Sequence, residues 1–241
     1  MPHFGSSMSR RSPEVCSHCP KGNIQGVAAG IHHQRASDDG LELTVIHVND
    51  IHAHFEEVSV NTTRCRAEDT GDCYGGVARL AGLKNSIMKE DPEALFLNAG
   101  DFYQGDFSRN LLDKKLKCNS HLKGTVWYTE FGYEPMIEFG NLLNYTAMGL
   151  GNHDFDDSIA GIKPFAERTT FDLLASNIQN NLNGDDDSFR EGIHYNKSTI
   201  KTVKGVQIGI IGYITRSTDY NFPNGVLTFL DEIESIKQEA K

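Results

Sequence analysis

The sequence predicts an α/β fold, in which short strands and helices alternate along one large domain. Runs of apolar and β-branched residues alternate with segments of helical periodicity from residue 41 onward. Polar segments that contain aspartate, histidine and asparagine follow directly after several of these runs, which is where α/β sheets place their sites. The chain has 241 residues, 38% of them hydrophobic, so it can bury a sizeable core.

The first predicted strand covers residues 41–48, because this run is apolar and β-branched. Residues 77–90 have apolar side chains at helical spacing, and Pro92 follows as a stop signal. The remaining predicted elements are a strand over 94–98, a helix over 135–143, strands over 145–150, 171–176 and 206–213, an acidic turn over 180–188, and a helix over 228–241.

Three of the segments that follow predicted strands carry side chains that bind divalent metal ions. A centre with two metal ions needs an anionic oxygen that bridges cations about 3.5–4 Å apart, with further nitrogen and oxygen donors around them. The three segments supply this mixture through Asp50, His52, Asp101 and Asn152. Because each segment closes a strand, the set predicts the two-metal site of a phosphoesterase.

Each of these residues also has a local explanation. Asp50 could cap a turn, and His52 and His54 could be exposed loop residues. Asn152 could serve a tight turn, because asparagine tolerates a positive φ. His47 lies inside the first predicted strand and is interpreted as a packed histidine. The combination of three segments in this order favours a site over a series of unrelated turns.

The residues at 43–52, 75–80 and 151–156 resemble the animal ecto-5'-nucleotidase and apyrase family. They read Leu-Thr-Val-Ile-His-Val-Asn-Asp-Ile-His, Gly-Gly-Val-Ala-Arg-Leu and Gly-Asn-His-Asp-Phe-Asp. The resemblance implies that residues 41–241 are the N-terminal part of a calcineurin-like metallophosphoesterase domain, which is a four-layer α-β-β-α sandwich. It also implies hydrolysis of nucleotide phosphate esters, either of nucleoside 5'-monophosphates to nucleoside and phosphate or of the apyrase type.

The resemblance implies two divalent metal ions as cofactors, with Zn²⁺ favoured over Mn²⁺. Carried over to this sequence, Asp50 and His52 hold one cation, Asp101 bridges the pair and Asn152 holds the second. A carboxylate suits the bridging position because its negative charge is shared between two cations that otherwise repel each other.

The resemblance also implies a catalytic pair, His153 and Asp156. His153 would protonate the leaving oxygen or stabilise charge in the transition state, and Asp156 would orient its ring. The substrate implied is a nucleotide such as AMP, ADP or ATP.

The family pattern continues with Gly-His and Gly-His-x-His motifs that complete both metal shells, and with a C-terminal domain that binds the nucleoside. Neither is found in this sequence, and His194 lacks the preceding glycine. The expectation is a domain that is incomplete at its C-terminal side and impaired or inactive alone. The alternatives are a non-catalytic secreted binding protein or truncated isoform derived from a 5'-nucleotidase, and a product of a partial or mis-spliced gene.

Residues 106–124 separate two segments that are adjacent in the family pattern. This stretch is predicted to be an insertion, and it contains several lysines. It is interpreted either as a basic loop near a phosphate or as a retained intron or gene-model error.

Three glycosylation acceptors, Asn61, Asn144 and Asn196, suggest a secretory setting. Cys65 and Cys73 flank a polar loop, and a disulfide between them fits this loop and the family resemblance. The resemblance places the protein outside the cell or at its surface.

Residues 1–40, by contrast, are predicted to be a polar, disordered leader. They lack the apolar core of a signal peptide, so the start of the sequence does not match an ordinary secreted precursor. An alternative first exon, a mis-predicted start or a cytoplasmic isoform would each explain this.

The charge and hydropathy of the chain exclude two classes of partner. A formal net charge of −10 argues against binding to nucleic acid, which normally needs a basic surface. The sequence contains no run of about 18 apolar residues, so it predicts no transmembrane helix. The sequence carries no pattern that indicates an oligomeric state.

Overall fold

A computed structural model of the chain describes residues 28–35, 41–59, 65, 73–102, 127, 131–180, 195–221 and 227–241. Its strands are β1 (Ala28–Arg35), β2 (Glu42–Asn49), β3 (Val58–Ser59), β4 (Cys73–Tyr74), β5 (Leu95–Asn98), β6 (Ala147–Gly149), β7 (Asp172–Leu174), β8 (Ile178–Asn180), β9 (Ser198–Val203), β10 (Val206–Ile211) and β11 (Leu227–Phe229). Its helices are α1 (Val77–Glu90), α2 (Glu134–Leu143), α3 (Ser158–Arg168) and α4 (Glu232–Glu239), with 3₁₀ turns at Asn152–Phe155 and Arg216–Asn221.

The main sheet has five strands in the order β1-β2-β5-β6-β7. β1 pairs with β2 in antiparallel fashion, whereas β2, β5, β6 and β7 run parallel. Parallel neighbours need long connections, and the connections here contain α1, α2 and α3. The predicted α/β fold is confirmed, and the carboxyl ends of β2, β5 and β6 lie at one edge of the sheet.

The core packs between the sheet and the helices. In β2 every second side chain is buried, so Ile46 and Val48 face the core. Aromatic rings fill much of the space, with ring centroids 4.6 Å apart for Phe96 and Tyr145. Helices α2 and α3 add further buried residues to the same cluster, namely Met136, Ile137, Leu143, Ile162, Phe165 and Ala166. This packing fixes the strands whose ends carry the candidate site.

A buried lysine fixes α1 against the end of α2. Lys84 donates a hydrogen bond from Nζ to the carbonyl oxygen of Leu143 at 3.1 Å. This carbonyl belongs to the last turn of α2, where the helix itself supplies no donor. Asn144 ends the helix in the left-handed region with φ 50°, which asparagine adopts more readily than most residues.

Two sequence predictions about the chain ends are wrong in part. The predicted disordered leader includes Ala28–Arg35, which form β1 because they satisfy the backbone groups along the edge of β2. The predicted helix over 228–241 begins later, since Leu227–Phe229 pair with β8 as a strand. Asp231 then starts α4, and its side chain accepts a hydrogen bond from the Glu234 amide at 3.0 Å.

Several elements were not predicted from the sequence. Gly161 and Pro164 interrupt the helical pattern of α3, yet Ile162 and Phe165 bury that helix against the core.

Most of the predicted acidic turn over 180–188 lies outside the described residues, as do the predicted insertion 106–124 and the greater part of the leader.

Asn177 joins three segments of the second half of the chain. Its side chain is buried and donates to the carbonyl oxygens of Ile214 at 2.8 Å and Leu230 at 2.9 Å. Its Oδ1 accepts a hydrogen bond from the Ile214 amide at 2.9 Å. The side chain therefore satisfies three backbone groups that lie outside the strands and helices.

We expect Asn177→Ala to lower the free energy of unfolding by about 3 kcal/mol, because buried backbone groups lose their partners. Asn141→Ala is the matched control, since Asn141 makes similar bonds to Arg168 and Thr170 at the surface. The control should cost about 1 kcal/mol or less. Urea unfolding of both variants measures the difference, and equal losses would contradict the assigned role.

Candidate metal centre

The loops that follow β2 and β5 are joined by backbone hydrogen bonds. The amide of Asp50 donates to the carbonyl oxygen of Gly100 at 3.1 Å, and the amide of His52 donates to that of Asp101 at 2.8 Å. Backbone hydrogen bonds between β2 and β5 thus continue beyond the ends of the strands into the two loops. It places the side chains of both loops at the same edge of the sheet.

Several residues in these loops have a left-handed backbone. The φ angles are 53° for Asp50, 46° for His52, 57° for Ala53 and 53° for Asp101. This region costs a non-glycine residue roughly 1–2 kcal/mol, and such conformations are typical of functional sites. The surrounding hydrogen bonds hold these conformations in place.

Asp50, His52 and Asp101 form one cluster of metal-ligating side chains. One ligand atom from each lies within 4.8 Å of the others, and His52 Nε2 is 3.5 Å from Asp50 Oδ1. His52 and Asp101 are each only 8% exposed. One imidazole and two carboxylates are a donor set that suits Zn²⁺ or Mn²⁺, so the residues fit a divalent cation.

Among the described residues a second group of side chains, Glu57 with Cys65 and Cys73, also has its potential ligand atoms within 4.8 Å of one another. The two cysteines are joined to each other in a disulfide. Their sulfur atoms are therefore not available as thiolate ligands. This group carries the disulfide that the sequence suggested, and it is not a metal site.

The loop that follows β6 packs onto Asp101. The amide of His153 donates to Asp101 Oδ1 at 2.8 Å, and the His153 ring lies edge-on to the His52 ring with centroids 5.2 Å apart. Asn152 precedes His153 and begins the 3₁₀ turn. The structure thus brings all three predicted segments together, while the role of the Asn152 amide as a ligand stays a prediction.

His153 and Asp156 form a hydrogen-bonded pair. His153 Nδ1 lies 3.0 Å from Asp156 Oδ2. The hydrogen bond to Asp156 raises the pKa of His153, partial burial opposes this, and the charges of Asp156, Asp101 and Asp154 add to the rise. The pair therefore favours a protonated imidazole next to the candidate ligands.

Burial raises the pKa of the Asp101 carboxyl group. The hydrogen bond from the His153 amide and the nearby histidines act in the opposite direction. A divalent cation bound beside Asp101 would favour the ionised carboxylate strongly, because it is the largest local charge in such a site. The buried carboxyl group is thus suited to a cation.

The glycines of two loops allow close contact between them. Gly100 has φ +100°, and a Cβ there would collide with the backbone of Gly151. A Cβ at Gly151 would in turn collide with the Asp101 amide and carboxylate. The glycines of the Gly-Asp and Gly-Asn-His sequences therefore allow the two loop backbones to lie in close contact, next to the candidate ligands Asp101 and Asn152.

Sequence reasoning missed Asp154. Its side chain is fully buried, and Oδ2 accepts hydrogen bonds from the amides of Gly151 at 2.8 Å and Asp101 at 3.2 Å. The signal in the sequence is its place in the Gly-Asn-His-Asp-Phe-Asp motif of residues 151–156, where it was given no role of its own.

The other predicted sites are distributed as follows. Asn144 and Asn196 are exposed, as glycosylation acceptors must be, whereas Asn61 lies outside the described residues. His194 also lies outside them, and His47 is half-buried within β2. Glycosylation at the three asparagines stays a prediction.

A parallel sheet that gathers buried carboxylates and histidines at the ends of its strands is typical of metal-dependent hydrolases. The chain belongs to the calcineurin-like phosphoesterase family, whose family model matches residues 43–239. This confirms the family and the metallophosphoesterase fold that the sequence motifs implied.

The relatives are hydrolases of nucleotides by name. An apyrase of Tabanus yao is 37% identical over 208 residues, which cover 85% of this chain and 33% of that protein. The 5'-nucleotidase of Mus musculus is 35% identical over 201 residues, covering 83% of this chain and 31% of that protein.

A similar solved structure is that of the 5'-nucleotidase precursor from Thermus thermophilus. It superimposes with a TM-score of 0.62 at 28% identity, covering 82% of this chain and 33% of that one. The chain therefore spans about a third of the length of these relatives.

We expect Gly151→Ala to destabilise the protein by about 1–3 kcal/mol, because the new methyl group must displace Asp101. Gly82→Ala is the matched control, since a Cβ at Gly82 in α1 meets nothing within 4 Å. The control should be neutral or slightly stabilising, because alanine favours a helix. Thermal unfolding of both variants measures the effect, and a Gly151→Ala variant as stable as the parent would contradict the close contact.

Proposed function

We propose that this chain carries the metal-binding part of an enzyme that hydrolyses nucleotide phosphate esters, of the 5'-nucleotidase or apyrase type. The observation that carries the proposal is the convergence of Asp50, His52 and Asp101 beside the His153–Asp156 pair. These groups come from the ends of three parallel strands, and they combine metal ligands with a proton donor.

Asp50, His52 and Asp101 would hold one divalent cation, and Asp101 with Asn152 would contribute to holding a second. When bound, such cations neutralise phosphate oxygens and lower the pKa of a bound water molecule. Zn²⁺ is our first choice, because it accepts imidazole and carboxylate together, and Mn²⁺ is the second. The acidic chain, with its net charge of −10, would otherwise repel an anionic substrate.

His153 would hold and deliver a proton. Its Nδ1 is engaged with Asp156, which leaves Nε2 as the ring nitrogen that can face a substrate. With Asp156 favouring the protonated ring, Nε2–H can donate to the leaving oxygen, which belongs to the nucleoside when AMP is hydrolysed and to the remaining nucleotide when ADP or ATP is hydrolysed. Asp156 fixes the tautomer and the orientation of the ring.

A nucleotide is the substrate class that the relatives support, since they are named as 5'-nucleotidases and an apyrase. AMP, ADP and ATP all present the terminal phosphate that two cations would bind. Nucleic acid is not proposed as a partner, because the chain is acidic overall.

We propose an extracellular or cell-surface location. The disulfide between Cys65 and Cys73 supports it, because disulfides persist in oxidising compartments. The exposure of Asn144 and Asn196 is compatible with glycosylation there. Among the described residues, no helix is long and apolar enough to cross a membrane.

The 241-residue chain is expected to bind metal weakly and to hydrolyse AMP slowly or not at all. Its described part offers three clustered carboxylate and imidazole ligands and the nearby Asn152, whereas two ions need more donors. Zinc-dependent turnover that His153→Ala abolishes would show that the chain is a competent enzyme and would contradict this expectation. Assays with AMP and ADP, with and without Zn²⁺, make the measurement.

His52→Ala should weaken Mn²⁺ or Zn²⁺ binding at least about tenfold, because it removes the imidazole from the cluster that the described residues form. The matched control is His54→Ala, two residues away, whose Nδ1 contacts the carbonyl oxygens of Ile51 and His52 and which is not in the cluster. Isothermal titration of the metal into both variants measures the affinities. Equal affinities in the two variants would remove His52 from the site, and a parent chain that binds no metal would contradict the proposed function.

A further inference from the structure

Asp154 is a buried carboxylate that contacts two different loops of the site. Its Oδ2 accepts hydrogen bonds from the amide of Gly151 at 2.8 Å and from the amide of Asp101 at 3.2 Å. Its side chain is 0% exposed, and it is not part of the cluster formed by Asp50, His52 and Asp101.

The contacts of Asp154 close a ring of hydrogen bonds around Asp101. Asp154 holds the Asp101 backbone through its amide, and Asp101 Oδ1 in turn accepts the amide of His153 at 2.8 Å. Gly151 completes the contact, because it approaches Asp101 more closely than any residue with a Cβ could. One carboxylate thus fixes both the candidate bridging ligand and the loop that carries His153.

We propose that Asp154 is a positioning residue of the metal centre, which sets the orientation of Asp101 and the distance from Asp101 to His153. The inference rests on the proposed function, because that function gives Asp101 its role as a metal ligand. The geometric part, that Asp154 holds the Asp101 backbone, rests on the hydrogen bonds alone. Asp154 would contact neither the metal nor the substrate. It acts through Asp101, whose backbone it holds in the left-handed region at φ 53°.

A carboxylate is suited to this position for two reasons. An ionised acceptor makes stronger hydrogen bonds to amides than a neutral one, and here a single oxygen accepts two of them. The left-handed backbone of Asp101 and the close contact of Gly151 with Asp101 both raise the free energy of this loop conformation. A strong hydrogen-bond acceptor is therefore needed to stabilise it.

A simpler role would be local, in which Asp154 only ends the loop by accepting the Gly151 amide. That role predicts a loss of stability without a change at Asp101 or His153. The positioning role predicts a change at the His153 amide as well, because that amide donates to the carboxylate of Asp101. The His153 amide is therefore the discriminating probe.

The test compares Asp154→Ala and Asp154→Asn with the control Asp172→Ala in the full 241-residue chain. Asp172 is a partly buried aspartate bonded to Lys201 and Thr199, and it starts β7, at the opposite edge of the sheet from the site. For each variant, amide hydrogen exchange is measured by NMR without metal, and Mn²⁺ affinity is measured by titration.

For Asp154→Ala we expect faster exchange at Gly151, Asp101 and His153, and about 10- to 100-fold weaker Mn²⁺ binding, which is the usual effect of losing a residue that orients a metal ligand. For Asp172→Ala we expect lower thermal stability with both readouts at the site unchanged. Asp154→Asn keeps an oxygen acceptor, so its affinity should stay within about threefold of the parent, with exchange at Asp101 and Gly151 about threefold faster.

Normal protection of the His153 amide in Asp154→Ala would overturn the inference, as would a loss of Mn²⁺ affinity no larger than in Asp172→Ala. If Asp154→Ala does not fold, Asp154→Asn decides, and unchanged exchange at both Asp101 and Gly151 would overturn the inference. If the parent chain binds no Mn²⁺, the proposed function fails, while the His153 exchange rate still decides whether Asp154 positions Asp101.

Discussion

Asp101 is the residue on which the arrangement of the site depends. Its amide, its carbonyl oxygen and its carboxylate each make a hydrogen bond to a different group, namely Asp154 Oδ2, the His52 amide and the His153 amide. The loops after β2, β5 and β6 therefore meet at one residue. A change in the Asp101 backbone would move ligands on both neighbouring loops.

This dependence has an energetic basis. Asp101 and its neighbours Asp50 and His52 adopt left-handed backbones, each costing roughly 1–2 kcal/mol, and Asp101 is buried as well. Hydrogen bonds between the loops and the packed core beneath them offset these costs. Strain of this kind is typical of sites that hold groups ready for a ligand before it arrives.

Much of the fold could be predicted from sequence periodicity. The run that forms β2 and the helical spacing that forms α1 were both identified, because each buries one face of a regular element. α3 was missed because Pro164 and Gly161 hide its pattern, and β11 was missed because its three residues gain their conformation only by pairing with β8. Asp154 was missed because its partner Asp101 is far away in the sequence.

The sequence by itself determined which residue types follow the strands, and hence the family and the chemistry that they favour. Asp50, His52, Asp101 and His153 could all be named from their positions after apolar runs. Only the tertiary structure decided how these groups face one another, because their distances depend on the parallel pairing of β2, β5 and β6 and on contacts between loops. Periodicity is local, whereas the hydrogen bonds around Asp101 join residues about 50 positions apart in the chain.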